Sequence, residues 1–276
     1  MSTKLNEMQN ATVGMTGELK PRALFVKLVP VSSDPPNFPS STSKVGVIEV
    51  LCLQPFNYAK NMTQQGQPIS MNPKKMYRGV GANCVNMGSC TMIQFSVGGT
   101  FKKMVLAGEN RQLKMYEEMG TGIGAGMISA LAATPLELIM IQQQRKGGGT
   151  LGTIKNIATP DNIMRGFTGA AVREGLWTCG YLSIPPIVRR SLRENFPDKF
   201  DTDTKARVPA ALLGGLFACY LTQPFDTIKT CMQGDIERKT YGSFMDTAKY
   251  LNNEGGLTAF YRGATFRYGR MVCAGE

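Results

Sequence analysis

The chain has no histidine and no paired CxxC cysteines among its 276 residues. Without histidine, serine–histidine and cysteine–histidine catalytic centres are excluded. Seven cysteines with no such spacing indicate neither a zinc site nor a disulfide framework, and no metal or cofactor is implied. Most sit in apolar segments, as Cys84, Cys90, Cys179 and Cys219 do, where cysteine acts as a small hydrophobe. Uninterrupted apolar runs of about 20 residues are also missing, so no segment reads as a simple lipid-facing span. Mean hydropathy is only −0.14. Acidic residues are outnumbered, 20 against 31 basic, for a formal net charge of +11. That excess suits anionic lipid or an anionic solute. The basic residues are spread along the chain instead of forming one patch interleaved with aromatics, which argues against nucleic acid.

What is present is a threefold internal repeat. Gln54-Pro55-Phe56-Asn57-Tyr58-Ala59-Lys60, Thr134-Pro135-Leu136-Glu137-Leu138-Ile139-Met140 and Gln223-Pro224-Phe225-Asp226-Thr227-Ile228-Lys229 follow one another at roughly 80 to 90 residues. Each is answered by an Arg-Gly pair, at Arg78-Gly79, Arg165-Gly166 and Arg262-Gly263. Lys, Asp and Glu are scarce in Gly79–Phe101, Gly120–Met140 and Val208–Gln223. Helices around a wet cavity give this signature, each with a lipid face and a polar face; a soluble protein with buried helices gives it too. Residues 1–42 read as a flexible Pro/Ser-rich tail, and 43–276 as one domain with repeats at 43–105, 118–194 and 207–276.

Helices are expected over Ser43–Lys60, Gly79–Lys103, Gly120–Gln144, Leu151–Ile157, Gly166–Arg193, Val208–Cys231 and Ser243–Leu251, with a last one from Gly263 to Glu276. Glycines at 120, 122, 124 and 126 allow close helix approach. A phosphate loop is the poorer reading there, because no strand precedes it. Pro35, Pro36 and Pro39 crowd the first helix, and the last has about 14 residues, or roughly 21 Å. Both terminal helices therefore read as short.

The three motifs together resemble those of the mitochondrial carrier family, whose signature is Pro-x-Asp/Glu-x-x-Lys/Arg in three copies. The third copy is complete; the first has Asn57 for the acid and the second Met140 for the base. The resemblance spans about residues 43–276. It implies an all-α membrane protein, a six-helix bundle of three pseudo-repeats with odd helices kinked at Pro55, Pro135 and Pro224 and short matrix-side helices. It also implies pairing between repeats in a matrix gate: Glu137 with Lys229, Asp226 with Lys60, and Asn57 with Met140. Both departures then fall in one pair, so no charge is stranded, which matters because a lone buried charge is costly. Gln142 matches a glutamine that braces such a pair.

Eight residues after each Arg of the Arg-Gly pairs lie Asn86, Arg173 and Arg270, with Glu174 following Arg173. In the resembled family these are substrate contact points. Arg173 and Arg270 would clamp carboxylates and Glu174 an ammonium group. The alternative is an internal Arg173–Glu174 ion pair that only stabilises the bundle. Trp177 is either a pocket residue or packing. Of the family's second gate only the bases Lys102 and Arg189 remain, with Gly99 and Pro186 at the acid positions and the third copy falling beyond Glu276.

Gly79, Gly242 and Gly263 begin helices and are candidate lipid-binding positions, cardiolipin sites in the family, against the plainer reading of helix-start glycines. The implied activity is alternating-access transport of a small anionic or zwitterionic metabolite across the mitochondrial inner membrane, as a monomer, with no chemistry performed. A di- or tricarboxylate or keto-acid exchanger, a transport-inactive carrier-derived membrane protein, and a soluble helical scaffold are the alternatives.

Overall fold

In the computed structural model, residues 40–274 are described, apart from positions 108, 110, 181–183, 198 and 201. Most of the proposed 1–42 tail therefore lies outside the described residues. Among those described, every regular element is a helix. In chain order these are α1 (Ser40–Gln64), α2 (Pro73–Met76), α3 (Val80–Leu106), α4 (Met115–Lys146), α5 (Thr150–Ile157), α6 (Pro160–Ile163), α7 (Phe167–Thr178), α8 (Ile184–Asn195), α9 (Asp203–Gly234), α10 (Phe244–Phe260) and α11 (Ala264–Ala274).

Packing follows a closed order. α1 contacts α3, α3 contacts α4, α4 contacts α7, α7 and α8 contact α9, and α11 contacts both α9 and α1. Two helices, α4 and α9, are long and apolar enough by length and composition to cross a membrane.

Several helix expectations are corrected. The first helix is not cramped: α1 begins at Ser40 and has 25 residues, about 37 Å at 1.5 Å per residue. The helix expected over Gly166–Arg193 is described as two segments, α7 and α8, with positions 181–183 between them outside the described residues. α7 ends in a wide turn at Cys179 and Gly180, and α8 starts at Ile184, immediately before Pro185 and Pro186. α10 extends past Leu251 to Phe260 because a second helical turn follows a break at Gly255 and Gly256, the latter at φ 57°.

Pro55, Pro135 and Pro224 sit inside continuous helices. Each deprives the carbonyl four residues earlier of its helical donor. For Pro55 that carbonyl belongs to Leu51, and the hydroxyl of Tyr77 donates to it at 3.1 Å.

The Arg-Gly glycines have one structural task in common. Gly79, Gly166 and Gly263 immediately precede α3, α7 and α11 in the left-handed conformation, at φ 77°, 78° and 76°. A side chain at Gly79 would meet the Met140 backbone at 3.0 Å, one at Gly166 the Lys229 carbonyl at 3.4 Å, and one at Gly263 the Lys60 carbonyl at 3.0 Å. Each turn is thus seated on the fifth residue after a motif proline. Gly126 serves another approach, its Cα facing the Glu174 carbonyl so closely that a Cβ has no room. This fixes α4 against α7 at the level of Arg173 and Glu174.

Candidate functional site: a charged cavity above interhelical ion pairs

The charged motif residues project from α1, α4 and α9 toward one another. Lys60 Nζ lies 2.9 Å from Asp226 Oδ2, and the Lys229 ammonium donates to Glu137. Asn57 Nδ2 meets Met140 Sδ at 3.4 Å. Asp226 has no solvent-accessible surface and Lys229 is 2% exposed, so neither charge is hydrated from outside the protein. Removing one member of such a pair leaves a buried charge unpaired, at a cost of about 3–5 kcal/mol.

Arg173 is the hub of this cluster. Its guanidinium donates to Glu137 Oε1 at 2.7 Å and to Glu174, and its Nε stands 3.5 Å from Asp226 Oδ1. Glu174 also accepts from Gln94 Nε2 at 3.1 Å. Arg173 therefore touches the acids of both ion pairs, and Glu174 is already occupied by Arg173 and Gln94. Arg270, on α11, is different. Among the described residues its nearest carboxylate is Glu49 at 4.0 Å, and its other polar contact there is Met87 Sδ at 3.8 Å, a weak acceptor.

Above the ion pairs lies a cavity of about 180 Å³, lined by Asn57, Lys60, Asn86, Met87, Cys90, Gln94, Glu137, Met140, Arg173, Glu174, Trp177, Lys229, Arg267 and Arg270. Neutral polar groups, cations and apolar side chains thus converge on a space suited to a small polar solute. All five residues expected at the substrate level, Asn86, Arg173, Glu174, Trp177 and Arg270, line it. Asn86 accepts from the Cys90 thiol at 3.3 Å. Trp177 also lines a neighbouring cavity of about 340 Å³ with Pro185, Arg207 and Met271.

Gln142 sits elsewhere than expected. Its amide donates to the Gln233 and Gly234 carbonyls at 2.6 and 3.1 Å, tying α4 to the end of α9 and not bracing an ion pair. The glutamine at an ion pair is Gln64, whose Nε2 donates to Asp226 Oδ2 at 2.9 Å and lies 3.4 Å from Thr227 Oγ1. Gln64, Gln144 and Gln233 each stand nine residues after a motif proline, a regularity that aligning the three copies would have shown.

Arg267 was also missed. This buried guanidinium donates to Thr222 Oγ1 at 2.6 Å and Gln223 Oε1 at 3.2 Å, and stacks 5.1 Å from the Trp177 ring centroid. Its counterpart five residues after Arg78 is Asn83, which donates to Gln54 at 2.9 Å. Both therefore anchor the glutamine that precedes a motif proline.

Of the candidate lipid positions, Gly79 and Gly263 are packed on Met140 and Lys60 as described. Gly242 borders a cleft of about 440 Å³ with Arg165, Gly166, Phe167, Arg238 and Ser243, between the starts of α7 and α10. At the start of α10 the Asp246 carboxylate already accepts from Ser243 Oγ at 2.6 Å and from its amide at 3.3 Å. Among the described residues no His/Cys/Asp/Glu group could hold a metal.

Residues 203–275 match the family model described as mitochondrial carrier protein. The mitochondrial glycine transporter YMC1 of Saccharomyces cerevisiae is 25% identical over 249 residues, covering 79% of this chain and 80% of that protein. Over most of its length this chain is similar to mitochondrial carriers. The tricarboxylate transporter FUM11 of Gibberella moniliformis is 27% identical over 261 residues, covering 84% of this chain and 82% of the relative. A mitochondrial glycine transporter of Candida glabrata is 31% identical over 156 residues, about half of either chain (51% and 52%). Each of these relatives is named as a transporter of a small metabolite.

Proposed function

We propose that the chain moves a small anionic or zwitterionic carboxylate, an amino acid or a close relative, across the mitochondrial inner membrane by alternating access. The carrying observation is the position of the cavity: its floor is the Lys60–Asp226 and Glu137–Lys229 pairs, and its wall carries Arg173 and Arg270. A solute carboxylate held there by Arg270 lies in the same cavity as Arg173, whose guanidinium touches both gate acids. Binding energy thereby shifts the balance between closed and open states. In this reading α1, α4 and α9 are the odd helices and α3, α7 with α8, and α11 the even ones of a six-helix, three-repeat bundle at 43–105, 118–194 and 207–276. The ion pairs form the matrix gate.

Glycine and tricarboxylates are the substrates in the relatives' names. The tricarboxylate reading requires two or more guanidinium groups for the solute. Arg173 is engaged by Glu137 and Glu174, which favours the reading with a single carboxylate held by Arg270. Cardiolipin is the lipid proposed for the Gly242 cleft, where helix-start amides meet Arg165 and Arg238. The carrier is proposed to act as a monomer.

Reconstitution of the full chain into liposomes, with labelled glycine, other amino acids, 2-oxo acids, tricarboxylates and nucleotides, tests the proposal. Uptake of an amino acid or monocarboxylate, abolished by Arg270→Gln, is expected. Uptake of no solute by a folded, inserted protein establishes the transport-inactive reading instead.

A further inference from the structure

We infer that Glu49 and Arg270 form a zwitterion-selecting pair, with Arg270 taking the solute carboxylate and Glu49 its ammonium group. The inference rests on the transport reading above. It starts from which cavity charges are engaged. Lys60 and Lys229 are paired with Asp226 and Glu137, Arg173 with Glu137 and Glu174, and Arg267 is hydrogen-bonded to Thr222 and Gln223. Glu174, the acid expected to take an ammonium, is held by Arg173 and Gln94.

Of the charged cavity residues Arg270, on α11, remains, and Glu49, on α1 and outside the cavity lining, is its neighbour. They face each other at 4.0 Å, beyond hydrogen-bonding distance, and the Glu49 oxygen concerned is buried without a hydrogen-bond partner. A buried carboxylate oxygen in that state is unfavourable until a donor reaches it. Arg270 lines the cavity, so a solute on its guanidinium stands next to Glu49. An amino acid carries its carboxylate and ammonium on adjacent positions and offers each side chain a charge-assisted bond. The matching 2-oxo acid offers Arg270 the same carboxylate but turns a carbonyl oxygen toward Glu49, acceptor against acceptor. Discrimination between the two is therefore built into this pair.

The test is uptake by the full chain in liposomes, using the labelled pairs glycine and glyoxylate, alanine and pyruvate, and glutamate and 2-oxoglutarate. Wild type is expected to favour the amino acid of at least one pair by about tenfold or more in kcat/KM, the effect of one charge-assisted bond. Glu49→Gln should lower that preference by about tenfold, while Glu49→Asp, which keeps the charge, should retain most of it. Thermal unfolding in detergent confirms that both variants fold. A preference unchanged within about twofold in Glu49→Gln, or lost equally in both variants, overturns the inference. Wild-type uptake of 2-oxo acids without amino acids overturns it and leaves transport standing; uptake of none overturns both.

Discussion

Where α9 meets α1 and α4 the contacts are ionic, and where α1 meets α4 they are neutral. Lys60 and Asp226 join α1 to α9, reinforced by Gln64 on Asp226. Glu137 and Lys229 join α4 to α9, with Gln142 on the Gln233 and Gly234 carbonyls. Among the described residues, the side-chain bonds between α1 and α4 are the Asn57–Met140 contact at 3.4 Å and an amide bond from Asn61 to Gln144 at 2.8 Å. Yet the glycine turns are alike at all three junctions. The backbone scaffold is thus threefold while the charges are not. A neutral amide hydrogen bond contributes about 1 kcal/mol, whereas stranding one member of a buried ion pair costs about 3–5 kcal/mol. The α1–α4 junction is accordingly the side on which this end of the bundle separates most easily.

The largest effect should follow from Asp226→Ala, which strands Lys60 and removes the carboxylate 3.9 Å from Arg267. A loss of about 3–5 kcal/mol is expected, read as a melting temperature roughly 10 °C lower in detergent. Asn57→Ala at the neutral junction should cost about 1 kcal/mol; equal losses for the two variants would remove the distinction between junctions.

Next in size is alanine at Gly79, Gly166 or Gly263. Each forces a Cβ into a left-handed turn and toward another helix, for about 1–3 kcal/mol. The three variants should behave alike, because the turns are alike where the charges are not. A harmless Gly263→Ala would contradict the close packing on Lys60.

The smallest effect is outside the bundle's charged centre, at Asp235. Its carboxylate accepts the Thr240 and Tyr241 amides at 2.7 and 3.0 Å. Burial pushes its pKa up, but these backbone donors outweigh burial and hold the group below the ordinary carboxylate value. A depressed folded value means the stabilisation is present above the unfolded value of about 3.9 and is lost as pH falls through the folded one. Asp235→Ala should therefore cost about 1 kcal/mol at neutral pH and little in acid well below pH 4, measured by unfolding across that range.

Much of this was legible because proline and glycine carry backbone instructions that survive translation from one repeat to the next. Pro55, Pro135 and Pro224 marked the inward helices, and aligning them brought together the residues that now face one another at the cavity floor. Other features were out of reach of local pattern. The engagement of Glu174 by both Arg173 and Gln94 brings α3 against α7, and nothing in the spacing of α1 singles out Glu49, whose partner lies at the other end of the chain. Arg267 was hidden for a related reason, since its equivalent in the first repeat, Asn83, is uncharged and in the second is Ala170.

The unequal junctions are tested most directly by building the missing ion pair. Asn57→Asp and Met140→Lys should each destabilise alone, while the double variant should recover with a coupling of about 1–3 kcal/mol in a double-mutant cycle. In liposomes it should also exchange its solute more slowly than wild type, because the separating junction is now tied. No coupling, together with an unchanged exchange rate, would contradict the account.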